Sequence, residues 1–133
     1  MTKYPCTNIH LDKIRENARQ MKEKCAANGV KLAGVAKGAA GDLKVARAFL
    51  EGGIDQLADS RIQNLKKFKE AGFKAEMLLL RLPHPGESEE VIEYADISLN
   101  TELKTLKALS EAAKSKNKKH EQKRNRTGWQ PGI

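Results

Sequence analysis

The sequence predicts an α/β fold in which one helix precedes four βα units, about half of a TIM-type (β/α) barrel. Short apolar runs begin near residues 32, 54, 75 and 97, and an amphipathic segment follows each run. The spacing of about 22 residues is what a short strand, a short loop and a three-turn helix require together. Such repeats form parallel sheets with right-handed crossovers. No Gly-x-Gly-x-x-Gly turn follows the first run, which favours a barrel over a dinucleotide-binding sheet.

The N-terminal segment predicts a short strand and then a helix. Residues 8–11 alternate polar and apolar side chains, and Asp12 is a plausible helix N-cap. Apolar residues then recur at three- and four-residue steps, at Ile14, Ala18, Met21 and Cys25. Asn28 and Gly29 would end this helix.

The first two βα units are predicted from clear apolar patterns. The first strand spans residues 32–36, and its helix, residues 43–51, is capped by Asp42. The second strand spans residues 54–58, and the helix after it ends at Gly72. The inward face of that second helix carries Ile62, Leu65 and Phe68.

The third and fourth units follow the same plan. The third strand, residues 75–80, is the most apolar run of the chain, and a short helix starts near Ser88. The fourth strand, residues 97–99, leads to Asn100, the expected cap of a helix. That last helix would use Leu103, Leu106 and Leu109.

The basic character of the chain is concentrated at its end. The net charge is +8, of which residues 110–133 carry +5 and residues 1–109 only +3. After residue 112 the apolar pattern stops, so residues 1–112 form the predicted half-barrel and residues 113–133 a basic, disordered or aberrant tail. Trp129 is the one aromatic residue there that could stack on a base. A solvated tail is therefore favoured over a nucleic-acid-binding arm.

Composition restricts the classes of protein to which the chain can belong. No apolar run approaches the roughly 20 residues that cross a bilayer. Cys6 and Cys25 show neither disulfide nor metal-ligand spacing, which is typical of reduced thiols. His10 and His120 have no neighbours that suggest a metal site. We therefore expect a soluble, cytoplasmic protein without a metal.

Lys37 is the main candidate for chemistry. It follows the apolar run of the first strand and opens a loop of small residues. The carboxyl ends of parallel strands are where catalytic groups collect. Asp59, Ser60 and Asn64 follow the second strand at the same rim and could line a pocket, although Asp59 and Ser60 could equally cap a helix. Arg81 follows the third strand and could meet a substrate carboxylate or be a plain surface residue, and His84 is interpreted as a loop residue.

Several blocks in order resemble the alanine-racemase-like barrel family, most closely the ornithine racemase-type enzymes. The blocks are residues 8–18 (NIHLDKIRENA), 33–37 (AGVAK) with 41–42 (GD), 51–54 (EGGI), 57–65 (LADSRIQNL) and 96–100 (DISLN). The resemblance covers roughly residues 4–117. It implies pyridoxal 5'-phosphate as cofactor, an amino-acid substrate and, as in some relatives, a homodimer.

The resemblance implies that Lys37 is the Schiff-base lysine and one of the two acid/base groups at the substrate α-carbon. In alanine racemases the loop after this lysine contains a phosphate-binding tyrosine, whereas residues 38–41 here are Gly-Ala-Ala-Gly, which favours the ornithine-type branch. The family's phosphate loops, pyridine-nitrogen partner and second base come from later strands. We therefore expect a truncated racemase whose tail marks a cut or shifted reading frame.

Two other functions remain open at this stage. The chain could be a non-catalytic pyridoxal-phosphate-binding protein, since single-domain barrels of the superfamily bind the cofactor through the same lysine. The basic tail leaves a nucleic-acid-associated protein as the third hypothesis.

Overall fold

Five parallel strands lie side by side in sequence order in the computed structural model, which describes residues 4–124. The strands are β1 (Ala33–Val35), β2 (Gln56–Asp59), β3 (Glu76–Leu79), β4 (Ile97–Asn100) and β5 (Glu121–Arg124). The helices are α1 (Leu11–Ala26), α2 (Leu43–Glu51), α3 (Ile62–Glu70), α4 (Ser88–Tyr94) and α5 (Leu103–Ser115). This α/β arrangement is that of the first strands of a TIM-type barrel.

The core lies between one face of the sheet and the helices. Successive residues of a strand point to opposite faces, and Leu57, Met77 and Leu79 share the face that packs against helices. Their main partners are Leu65 and Phe68 of α3, Val91 and Ile92 of α4, and Leu109 of α5. The other face is more open, with Val35 41% exposed.

Helix α1 packs outside this core, against α2. The contact depends on Gly52, where a Cβ would lie 2.5 Å from Ala18 Cβ and 2.7 Å from the Arg15 carbonyl oxygen. Ala18 is buried at this crossing. None of the helices in residues 4–124 is long and apolar enough to cross a membrane.

The fold class and the four βα units predicted from the sequence are confirmed. The predicted helix over residues 43–51 matches α2, and Asp42 is its N-cap, with Oδ1 accepting hydrogen bonds from Lys44 N at 2.8 Å and Val45 N at 3.1 Å. The other strands and helices agree with the prediction to within two residues at most ends.

Two predictions about local structure are wrong. No strand forms over residues 8–10; α1 begins at Leu11, and Asp12 lies in its first turn instead of capping it. Asn100 is the last residue of β4, not the cap of α5, because its amide donates to Ser98 Oγ at 2.8 Å and to Gln122 Oε1. These bonds hold Asn100 in the sheet, so Glu102 takes the N-cap position of α5.

Helix α5 and strand β5 extend into the predicted basic tail. The predicted division after residue 112 falls inside α5, and β5 pairs with β4 from Ile97↔Glu121 to Asn100↔Arg124. His120 anchors this strand through Nε2, 2.8 Å from Ser98 Oγ, and Nδ1, 3.0 Å from the Ala95 carbonyl oxygen. Strand β5 is thus held by backbone pairing and polar contacts, although it lacks the apolar residues of the earlier strands. The rest of the predicted tail, residues 125–133 with Trp129, lies outside the described residues.

Candidate functional site

The carboxyl ends of the strands place the predicted site residues along one rim. Lys37 comes two residues after β1, Arg81 comes two residues after β3, and Asp59 ends β2 with its side chain buried below the rim. Because neighbouring strands lie about 4.8 Å apart, β1 and β3 are separated by on the order of 10 Å. The rim is therefore small enough for one ligand to reach from Lys37 toward Arg81.

Lys37 opens a tight turn held by backbone hydrogen bonds. Residues 37–39 form one turn of 3-10 helix, which ends with Ala40 and Gly41 at φ +52° and +66°. Gly41 N–H donates to the Ala36 carbonyl at 3.1 Å, and Ala36 N–H donates to the Ala58 carbonyl of β2 at 2.9 Å. The end of the turn is thus bonded to its start at Ala36, and Ala36 is bonded to β2.

The Lys37 side chain is exposed. Among the ion pairs and side-chain hydrogen bonds formed within residues 4–124, none involves its ammonium group. Its amine is accessible and is not neutralised by a carboxylate there.

Asp59 lies beneath the rim and not on it. The residue is fully buried, and its Oδ1 accepts hydrogen bonds from Arg61 N at 2.9 Å and from Asn64 Nδ2 at 3.0 Å. Its Oδ2 is also buried and has no hydrogen-bond partner in the part of the chain that the structure describes. A direct contact between Asp59 and a cofactor would require this pair to open. Ser60 and Asn64 are half-buried beside it.

Arg81 and His84 belong to the loop that follows β3. Arg81 is exposed, and its Nη2 lies 3.3 Å from Glu87 Oε1. His84 caps a short 3-10 turn, with Nδ1 accepting from Gly86 N at 3.1 Å and its own N–H donating to Glu87 Oε2 at 2.9 Å. This agrees with a loop role for His84. Beside the loop and the start of α5 is a cavity of about 250 Å³.

The shifted pKa values within residues 4–124 lie away from Lys37. Burial lowers the pKa of His120, although the hydrogen bond to the Ala95 carbonyl and the charge of Asp96 oppose this effect. Hydrogen bonds from Lys118 and Lys116 lower the pKa of Glu93. Both groups stabilise the junction between α4, α5 and β5. In the described part of the chain, no three His, Cys, Asp or Glu side chains are grouped to hold a metal ion.

Sequence reasoning located Lys37 but missed the contact that supports its turn. Asn64 lies against Gly41 so closely that a Cβ on Gly41 would be 2.7 Å from both Asn64 Oδ1 and Asn64 Nδ2. The signal available in the sequence was the glycine just before the N-cap Asp42, a position where a left-handed turn is common.

Comparison with known proteins gives consistent matches. A family model described as the alanine racemase N-terminal domain matches residues 9–122. The chain is 45% identical to an ornithine racemase of Acetoanaerobium sticklandii over 117 residues, covering 88% of this chain and 33% of the relative. It is 34% identical to a lysine racemase of Thermotoga maritima over 111 residues, covering 84% and 31% respectively. The chain therefore spans about a third of the length of these relatives.

Solved structures show the same fold at lower identity. An alanine racemase from Streptomyces coelicolor superposes with a TM-score of 0.75 at 20% identity, covering 92% of this chain and 35% of that one. A D-threonine aldolase from Filomicrobium marinum gives 0.77 at 18% identity, covering 98% and 38%. These similarities show the arrangement of strands and helices.

Proposed function

This chain belongs to the alanine racemase N-terminal domain family, and from that premise we propose that it forms the lysine-bearing part of a pyridoxal 5'-phosphate-dependent amino-acid racemase. The observation that carries the proposal is Lys37, an exposed amine without a carboxylate partner in residues 4–124, at the carboxyl end of β1. The resemblance assigns the Schiff-base lysine to this position.

The donor set near β1 fits the aldehyde end of the cofactor. Lys37 Nζ supplies the primary amine, and the small side chains of residues 38–40 leave space around it. When bound, the cofactor would act as an electron sink for the negative charge that develops at the substrate α-carbon.

Lys37 has two tasks in this proposal. Its Nζ would first hold the cofactor through a carbon–nitrogen bond to the aldehyde carbon. With substrate bound, Lys37 Nζ would lie beside the substrate α-carbon and remove or return its proton. Racemisation also needs an acid/base group on the opposite face of that carbon. Lys37 would be one of the two groups.

The remaining rim residues are proposed in lesser roles. Arg81 could bind the substrate carboxylate if its guanidinium leaves Glu87, which is feasible because both side chains are partly exposed. Ser60 follows β2 at the same rim and is proposed to contact a bound cofactor, whereas Asn64 lies against Gly41 of the Lys37 turn. The relative at 45% identity suggests ornithine as the substrate. A cytoplasmic location accords with the free thiols of Cys6 and Cys25; the homodimer stays a prediction.

The test is direct binding of the cofactor to the purified chain. Adding pyridoxal phosphate should produce a visible absorbance band, and reduction with borohydride should leave the pyridoxyl group on Lys37, identified by mass spectrometry. The variant Lys37→Ala should lose both signals. Lys31→Ala and Lys44→Ala, which remove exposed lysines of the flanking segments, should keep them.

Two results would count against the proposal. The first is a wild-type chain that gives no band. The second is a band of equal intensity in Lys37→Ala, which would show nonspecific reaction with surface lysines.

A further inference from the structure

We propose that Asp59 and Asn64 are positioning residues that hold the Lys37 turn in place, instead of contacting the cofactor themselves. The role of the Lys37 amine in this inference rests on the proposed function. The contacts that support the turn do not depend on it.

The contacts form a closed ring around the turn. Asp59 Oδ1 accepts a hydrogen bond from Asn64 Nδ2 at 3.0 Å, and Asn64 packs against Gly41. Gly41 N–H donates to the Ala36 carbonyl at 3.1 Å. Ala36 N–H donates to the carbonyl of Ala58, the residue that precedes Asp59 in β2. The ring therefore returns to its starting strand and contains Ala36 and Gly41, the two residues that flank residues 37–40.

Gly41 is the point where the ring touches the turn. Its φ of +66° is in the left-handed region, and its buried backbone faces the amide of Asn64 without a side chain between them. A Cβ at this position would collide with Asn64 Cγ. The close approach means that movement of Asn64 would be transmitted directly to the end of the turn.

Asp59 fixes the orientation of Asn64. Its carboxylate is fully buried and bonds both the Arg61 backbone and the Asn64 side chain, so it joins the start of α3 to the ring. A single carboxylate thus determines where the Asn64 amide lies, and through Gly41 it determines where the Lys37 backbone lies.

Holding the backbone of Lys37 matters because its side chain is long and exposed. Four rotatable bonds already allow the amine many positions, and a loose turn would add more. Catalytic groups are effective when their supporting residues keep them within about 0.5 Å of the productive geometry. Because the ring holds the backbone of the turn, the position of the Lys37 amine varies only through rotation of its side chain.

The first measurement needs no cofactor. Hydrogen exchange of the Gly41 amide reports on its bond to Ala36, and Asn64→Asp should accelerate it by about tenfold, since a second carboxylate would repel Asp59 and remove the donor. The Met77 amide in β3 serves as the internal reference. Asn64→Ala is the milder variant should Asn64→Asp fold poorly, and Gln63→Ala, at an exposed neighbour in α3, is the matched control.

The second measurement concerns the lysine. Borohydride trapping of pyridoxal phosphate should become several-fold less selective for Lys37 over Lys31 and Lys44 in the Asn64 variants. The double variant Asp59→Asn/Asn64→Asp restores a donor and an acceptor between these two side chains, but not the bond from Arg61 N to the same Oδ1, and should recover part of the selectivity. If the Asn64 variants acted only by destabilising the fold, their thermal midpoints would fall, and the double variant would not recover the selectivity for Lys37.

The outcomes separate the two proposals. Unchanged exchange of the Gly41 amide in both Asn64 variants would overturn the positioning role. If cofactor trapping at Lys37 also fell in those variants, the result would indicate a direct contact between Asn64 and the cofactor. If Gly41 exchange accelerates but the wild-type chain traps no cofactor at Lys37, the ring is supported and the proposed function is refuted.

Discussion

Replacing Gly41 by alanine tests the packing of the Lys37 turn through stability. At a φ of +66° an alanine costs about 1–2 kcal/mol of strain. The added Cβ would also collide with the Asn64 amide, and overpacking of this kind typically costs about 1–3 kcal/mol. The lower entropy of the unfolded alanine chain returns roughly 0.4–1 kcal/mol. We therefore expect a loss of about 1–5 kcal/mol in the free energy of unfolding.

Gly72→Ala is the matched control, because Gly72 has a φ of +78° but open space where the Cβ would stand. Urea unfolding followed by circular dichroism should show that Gly41→Ala loses about 1–3 kcal/mol more than Gly72→Ala, the difference being the collision. The double variant Gly41→Ala/Asn64→Ala should lose less than the sum of the two single changes. Equal losses in the two glycine variants, or strict additivity in the double variant, would refute this account of the turn.

Two further predictions concern other contacts. Asp42→Ala should lower the free energy of unfolding by about 0.5–2 kcal/mol, because Oδ1 caps the first turn of α2, and urea midpoints should show that Asp42→Ser keeps most of this stability. Because burial lowers the pKa of His120, the folded chain favours the neutral ring while the unfolded chain takes up a proton first, so stability should fall as the pH drops below about 6.5. Thermal midpoints measured across this range should fall less steeply in His120→Gln, and an equal or steeper fall would contradict the assignment.

The parts of the fold that the sequence predicts are those with a repeating apolar pattern. The helix over residues 43–51 and the strands near residues 56, 76 and 97 follow from that pattern and from the residues that punctuate it. Strand β5 could not be found in this way, because residues 121–124 are polar and their pairing depends on the backbone of β4. The sequence predicts a cap at Asn100 because its partner Gln122 lies 22 residues away and becomes a neighbour only in the folded sheet.

The candidate site also has one part that the sequence pattern predicts and one part that depends on tertiary packing. The position of Lys37 follows from an apolar run ending in a single lysine, and the structure places that lysine at the carboxyl end of β1. The burial of Asp59 and the contact between Asn64 and Gly41 depend on how α3 packs beside the turn. Such tertiary contacts cannot be recognised from a periodic pattern in the sequence.

The order of the strands has a consequence for how the lysine turn is made. Each strand pairs with the one before it in the chain, so every pairing closes a loop of only about 20 residues, and short loops cost little entropy. The ring around the turn uses residues 36–64 alone. The contacts that support Lys37 therefore lie within the segment from β1 to α3, and none of them uses the strands that follow in the chain.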